Sequence, residues 1–536
     1  MSRTVRAGVL AAVALLLAGT TAACGDKEKE STPGKAAVSA SPGAGGAGGA
    51  GLPRLPASLT DQKPRWTECE APVKALGPAA RAPGARWQCA TVRAPLDYAD
   101  PDGETLGIAL IRARAADSER RIGSLLLNFG GPGSSGVASL PGWGTVFDDL
   151  GSRYDLVGFD PRGVAGSSGV VCRDSEAMEA AASRLDHTPD DATEEKAFLA
   201  DAKDFAAGCE RRSGTVLPHV GTESAARDMD LLRAVLGDDR LHYLGFSYGT
   251  RLGAVYAHLF PQRVGRLVLD AVSDPSADDV RHARNQTTGF QRALENYLAD
   301  CAAQGADCPV GTDPEAGAER VAALLRRLDR DPLPATGGRE LTESLARTGI
   351  VRALYTEQLW TRLTDALREA LQAGTGSRLL ALADAYNDRD ESGRYSNQSH
   401  SQRAISCADS ADRLSLDEAR ELLPEFRELS PVFGEFLAWD LAGWCAGWPV
   451  REDAGRPDVS AKGADPILVI GTTGDPATPY EGARIMADGL GKGVGIHLTY
   501  EGEGHGAYSS GNACTKRAVD AYFLDGEVPE DGTTCS

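Results

Sequence analysis

A serine between two glycines, a histidine on a glycine loop and an aspartate before a proline are the residues of this chain that can do chemistry together. Ser247 stands in Gly245-Phe246-Ser247-Tyr248-Gly249, after the run Leu241-His242-Tyr243-Leu244 and before a stretch with helical spacing, 250–260. A strand, a sharp turn and a helix in that order expose a serine hydroxyl, and flanking glycines keep side chains out of the turn. With 62 glycines in 536 residues the bare pattern carries little weight, so its context has to carry the reading. A serine hydroxyl is a poor nucleophile at neutral pH unless a base takes its proton and an acid orients that base.

The chain has 8 histidines. His505 lies in Glu501-Gly502-Glu503-Gly504-His505-Gly506, just past the apolar run 496–500, where a loop can carry it to the serine. His497 and His242 fall inside strand-like runs and His258 late in a helix, so all three read as structural. Asp475 follows the run 467–470 in Gly474-Asp475-Pro476-Ala477-Thr478-Pro479 and is the expected acid. Asp270, at the end of the run 266–271, is its rival, with a strand-end cap or surface carboxylate as the blander role. Acyl transfer also needs oxyanion donors. The Tyr248 N–H is one. Gly131, in Phe129-Gly130-Gly131-Pro132-Gly133, is the expected second, and losing one such donor costs about 2.7–4 kcal/mol. A phosphate-binding loop would need a following Lys or the full dinucleotide pattern, and neither is present.

The elements that must position these residues alternate in type. Runs 106–113, 124–128, 154–159, 241–246 and 266–271 read as strands. Residues 224–236 have helical spacing (Ala225, Met229, Leu232, Leu236), with Thr222 as the expected cap. The alternation predicts an α/β fold with a doubly wound, mainly parallel sheet. Strands then stop for about two hundred residues, far too many for a loop. Residues 280–303, 316–328, 356–373 and 416–429 read as helices of a cap inserted before the closing strands 466–471 and 496–500. A last helix spans 515–524. In such sheets the reactive groups sit at the carboxyl ends of the strands, where a cap excludes water and limits access.

Net charge is −20, which disfavours nucleic acid as a partner and fits a soluble acidic surface. Arg3 and Arg6 precede the apolar stretch 7–18, too short to span a membrane as a helix. Leu17-Ala18-Gly19-Thr20-Thr21-Ala22-Ala23-Cys24 resembles a bacterial lipoprotein cleavage site, with Thr21 where that motif usually has Leu. Ordinary cleavage after Ala23 is the competing expectation. Of 11 cysteines, removing Cys24 leaves ten, an even set that suggests disulfides in an exported chain. Pairing of chain neighbours is the simplest arrangement, although connectivity stays open. No CxxC pair or nearby His supports a metal site. The expected plan is a signal peptide over 1–24, a Gly/Ala/Pro-rich tether over 25–60, a core over 61–275, a helical cap over 276–460 and the rest of the core over 461–536.

Five motifs together resemble a known family: Gly-Gly-Pro-Gly (130–133), Gly-Phe-Asp-Pro-Arg-Gly (158–163), Gly-Phe-Ser-Tyr-Gly-Thr (245–250), Gly-Asp-Pro-Ala-Thr-Pro (474–479) and Gly-His-Gly (504–506). They are similar to the prolyl iminopeptidase group of α/β-hydrolase serine peptidases, and most to secreted bacterial tripeptidyl aminopeptidases. The order Ser, Asp, His along the chain is that of α/β-hydrolases. Phe129 is a departure, since many relatives have His there. The resemblance implies peptide hydrolysis near a free N-terminus by Ser247, His505 and Asp475, with cap carboxylates binding the substrate amine. Glu357 and Asp409 are the candidates for that task, while Asp160 and Arg162 read as loop scaffolding. Peptide substrates, no metal or organic cofactor, and a monomer that is secreted or held outside the membrane only by a lipid on Cys24 complete the expectations. An esterase with the same triad is the alternative, and a peptide-binding lipoprotein without catalysis a remote one. Dehalogenase or epoxide hydrolase chemistry is disfavoured, because those relatives have Asp where Ser247 stands.

Overall fold

A computed structural model describes residues 53–69, 86–143, 145–450 and 458–536. Its strands are β1 (Thr67–Glu68), β2 (Trp87–Pro95), β3 (Thr105–Ala113), β4 (Gly123–Asn128), β5 (Tyr154–Phe159), β6 (Leu241–Phe246) and β7 (Val264–Asp270). After a long helical stretch come β8 (Leu333–Pro334) and β9 (Glu340–Leu341), a small separate hairpin, and then β10 (Ile467–Gly474), β11 (Gly495–Glu503) and β12 (Thr533–Cys535). Ten strands form one sheet in the order β1-β2-β3-β5-β4-β6-β7-β10-β11-β12. The pairs from β5 through β12 are parallel, and β1, β2 and β3 extend the edge antiparallel. This is the doubly wound, mainly parallel α/β-hydrolase sheet.

All six residues of β4 and of β5 are buried, as expected for strands covered on both faces. Burying each of Leu125, Leu126 and Leu127 stabilises the fold by about 1.5–3 kcal/mol. One face packs on helices through Met229, Leu232, Leu252 and Val255, and the other is covered by Phe147, Tyr508 and Phe523. The parallel register aligns the carboxyl ends: Asn128 pairs with Gly245, Phe246 with Asp270, Asp270 with Ile470, and Gly474 with Glu503. The residues after these ends, among them Ser247, Asp475 and His505, therefore leave the sheet along one rim. Both β10 and β11 run three residues past their expected ends, because pairing resumes at Gly474 and Glu503 after a register shift. That brings the acid and base loops together.

The helical insertion has a core of its own, which includes Leu294, Leu324, Leu345, Ile350, Leu363 and Leu379. The helix Gln398–Asp409 is different, since its Ala404, Ile405 and Ala408 pack into the sheet's core. The expected single helix over 356–373 is three segments: a one-turn helix Glu357–Leu359, an α-helix Trp360–Arg368 and a wider turn Glu369–Ala373. Thr222 is not a cap: it is the first helical residue of Thr222–Leu236, and Gly221 takes the cap position. Residues 57–60, expected in the tether, form a helical turn that buries Leu59 in the sheet's core. Five disulfides join chain neighbours: Cys69–Cys89, Cys172–Cys209, Cys301–Cys308, Cys407–Cys445 and Cys514–Cys535. Among the described residues no helix is long and apolar enough to cross a membrane.

Candidate active site

Ser247 sits in the turn between β6 and the helix Tyr248–Leu259 with φ 56° and ψ −122°. A non-glycine residue held there stores about 1–3 kcal/mol of strain, which the surroundings must offset. Its N–H donates to the Asp270 carbonyl (3.0 Å), and its carbonyl accepts from the Thr250 N–H (2.8 Å) and hydroxyl (2.6 Å). Glycine at 245 is required, since a Cβ there would lie 2.5 Å from the Gly249 carbonyl oxygen. The hydroxyl-bearing residue stays partly exposed at the rim.

The oxyanion loop follows β4. Gly130, with φ 81°, sits so close that a Cβ would come within 2.8 Å of the Ser247 Cβ. Its N–H is committed to Asn128 Oδ1 (3.0 Å). The N–H groups of Gly131 and Tyr248 have no hydrogen-bond partner among the described residues, which suits both to a developing oxyanion. Asp160 braces this loop. Its carboxylate accepts from the Ser135 hydroxyl (2.6 Å) and from the N–H groups of Val137 (3.1 Å) and Gly166 (3.0 Å). Burial raises its pKa despite those bonds. Arg162 is fully buried and makes paired 2.7 Å bonds to Asp228. Both residues support loops and neither offers a group to the site.

His505 and Asp475 meet directly. The imidazole Nδ1 is 2.9 Å and 3.0 Å from the two carboxylate oxygens of Asp475. Asp475 is fully buried and also accepts from the N–H groups of Ala477 (2.9 Å) and Thr478 (2.9 Å) and from the Thr478 hydroxyl (3.1 Å). A carboxylate so held is an acceptor, so Nδ1 carries the proton and Nε2 is left as the base. Burial works to lower the imidazole's pKa, but Asp475, its hydrogen bond and the charge of Asp270 outweigh it and hold it above the ordinary value. The helical insertion contributes Tyr355. Its carbonyl accepts the His505 N–H (2.9 Å), and its ring meets the imidazole edge-on at 5.1 Å.

The other candidates fall elsewhere. Both oxygens of Asp409 are taken by Thr222, one by its N–H and the other by its hydroxyl, and Arg251 stands 3.9 Å away. Thr222 in turn meets the Tyr248 hydroxyl at 2.6 Å. Asp409 thus anchors the residue after the nucleophile through Thr222. Glu357 is exposed, two residues past Tyr355. Asp270 does not touch the imidazole's nitrogens; its carboxylate binds the N–H groups of Ala507 (2.9 Å) and Tyr508 (2.8 Å). His242 accepts the Arg266 N–H (3.1 Å), His258 meets the Ser460 carbonyl (2.8 Å), and His497 is buried edge-on to Tyr480. Cys24 lies outside the described residues. Thr478 was visible in the sequence motif but had no assigned task, and Tyr355 gave no signal at all.

A family model described as TAP-like protein matches residues 430–535, the segment that holds Asp475 and His505. The chain is 39% identical over 496 residues to "Serine protease Hip1" of Mycobacterium tuberculosis (strain ATCC 25618 / H37Rv), covering 90% of this chain and 92% of the relative. It is 35% identical over 460 residues to "Carboxylesterase B" of the same strain, covering 84% and 86%. It is 31% identical over 462 residues to "Tripeptidyl aminopeptidase" of Streptomyces lividans, covering 84% and 83%. With these relatives and this fold, the chain is a serine hydrolase and belongs to the TAP-like α/β-hydrolase family of these relatives.

Proposed function

We propose that this enzyme is an exported, lipid-anchored aminopeptidase, acting as a monomer, that releases a short peptide from a free N-terminus through an acyl-enzyme. Ser247 attacks the scissile carbonyl while His505 Nε2 takes its proton. The N–H groups of Tyr248 and Gly131 bind the oxyanion. His505 then gives the proton to the leaving amine, and water hydrolyses the ester with His505 as base again. Asp475 holds the imidazole's tautomer throughout.

The observation that carries the catalytic part is the His505–Asp475 contact at the same rim as the strained Ser247 turn. The exopeptidase part draws support from negative charge beside His505. Glu503, two residues before it, has its pKa raised chiefly by burial; the Asn296 hydrogen bond and Arg292 oppose that rise and the charge of Glu357 adds to it, so an incoming ammonium would relieve part of an existing repulsion. Glu357 is therefore the proposed amine ligand. Export is supported by the five disulfides, and Cys24 is the proposed lipidation site.

Esterase activity is the second reading. Phe129, Phe246 and the exposed Trp143 form an aromatic group next to Ser247, with ring centroids 5.7–6.2 Å apart, and one relative is named a carboxylesterase. Aminoacyl, dipeptidyl and tripeptidyl chromogenic amides, each with free and acetylated N-termini, separate the two. Preferred cleavage of free tripeptidyl amides is expected. Equal cleavage of acetylated and free forms, or turnover of esters alone, would remove the aminopeptidase assignment.

A further inference from the structure

Asp270 closes β7 in the middle of the sheet, paired with Phe246 on one side and Ile470 on the other. It is fully buried. The next residue, Ala271, has φ 59°, so the backbone turns away and leaves the side chain pointing past the strand end. Three hydrogen bonds then converge on this one residue. Its carbonyl accepts the N–H of Ser247, the nucleophile, at 3.0 Å. Its two carboxylate oxygens accept the N–H groups of Ala507 and Tyr508, two and three residues after His505, at 2.9 Å and 2.8 Å. One end of the residue holds the serine turn and the other holds the histidine loop.

A strand-end carboxylate without such a task would be costly here. An ionised group buried without a cation loses hydration that two N–H donors only partly replace. The titratable groups facing it are Asp475, which repels it, and His505, which attracts it; burial pushes its carboxyl up to about 6. Asn would have the same shape, but its amide would point a donor at one of the two N–H groups. Both donors are satisfied only by a carboxylate, or by a smaller acceptor with a water.

We infer that Asp270 is a positioning residue, which ties the nucleophile turn and the base loop to a single point and adds a second negative charge facing His505. Its effect on rate depends on His505 being the general base proposed above. In Asp270→Asn the serine turn keeps its backbone bond while the loop loses one tether. The imidazole then sits out of line, and a misplacement of about 1 Å costs about a hundredfold in rate. Substrate contacts are untouched, so KM stays within about twofold. Removing the charge also lowers the imidazole pKa, which moves the acid limb of the kcat/KM profile to lower pH.

The experiment compares wild type, Ser247→Ala, Asp270→Asn and Asp270→Ser on a free tripeptidyl chromogenic amide across pH 5–9. The serine variant, with one water, can accept both N–H groups without charge. Expected are an inactive Ser247→Ala, a kcat loss without a KM change in Asp270→Asn, partial recovery of kcat in Asp270→Ser, and a lowered acid limb in both Asp270 variants. Hydrogen exchange in wild type needs no variant to fold: slow exchange of the Ala507 and Tyr508 amides is expected. An inactive Ser247→Ala beside Asp270 variants with unchanged kcat and acid limb would overturn this role alone, as would fast exchange of both amides. An active Ser247→Ala would instead remove the catalytic reading on which it rests.

Discussion

The rim of the sheet and the helical insertion both reach His505, but they hold it in different ways. From the rim come side chains and turns whose polar atoms are committed several times over: Asp475 accepts from four donors, two N–H groups, the Thr478 hydroxyl and the His505 Nδ1–H. From the insertion come one backbone carbonyl and one ring edge, both of Tyr355. The insertion also has a separate core. The difference teaches that the rim fixes the geometry of the base, and we propose that the insertion governs what reaches it. Changes at the rim should lower kcat, and changes in the insertion should raise KM.

Ser247→Ala gives the largest expected effect, a fall in kcat of about a million-fold with folding retained, read by steady-state turnover and thermal melting. Asp475→Asn should follow at about ten-thousand-fold, because the amide favours the wrong imidazole tautomer. Thr478→Val removes one of several bonds to Asp475, 3.1 Å long, and should cost about 3- to 10-fold in kcat. Tyr355→Ala keeps the backbone bond to His505 and loses only the ring. It should raise KM a few-fold with kcat within about twofold; a dominant kcat loss would erase the distinction between the two regions. The pH profile sharpens the same comparison. Activity requires a neutral imidazole, and its raised pKa means protonation begins at higher pH than for a free histidine. The acid limb of kcat/KM should therefore lie above about 6.5 and move down when a facing carboxylate is removed.

Legibility in the sequence divides along the same line. β5 and β6 match their expected bounds because each is a nearly continuous apolar run between breakers. β2 escaped notice: its burial alternates irregularly, with Arg93 exposed and a Pro at its end. In the insertion the amphipathic helix Leu416–Leu429 was plain, whereas Gly434–Gly443 is apolar on several sides and has no period to read. Ser247, Asp475 and His505 were legible from glycines and strand ends, which are local. The bonds of Asp409 to Thr222, 187 residues away, were not legible, because nothing local announces them. Asp270 was legible as a strand-end acid, but its bonds to Ala507 and Tyr508 exist only once the sheet has assembled.

The central claim is that Ser247 is the nucleophile activated by His505. Its most direct test is mass-spectrometric mapping of the adduct formed with a fluorophosphonate, with the labelling rate followed across pH. A single adduct on Ser247, forming at a rate that falls as the pH drops through the acid limb and lost in His505→Gln, is the predicted result. An adduct on another residue, or labelling of Ser247→Ala at the wild-type rate, would contradict it.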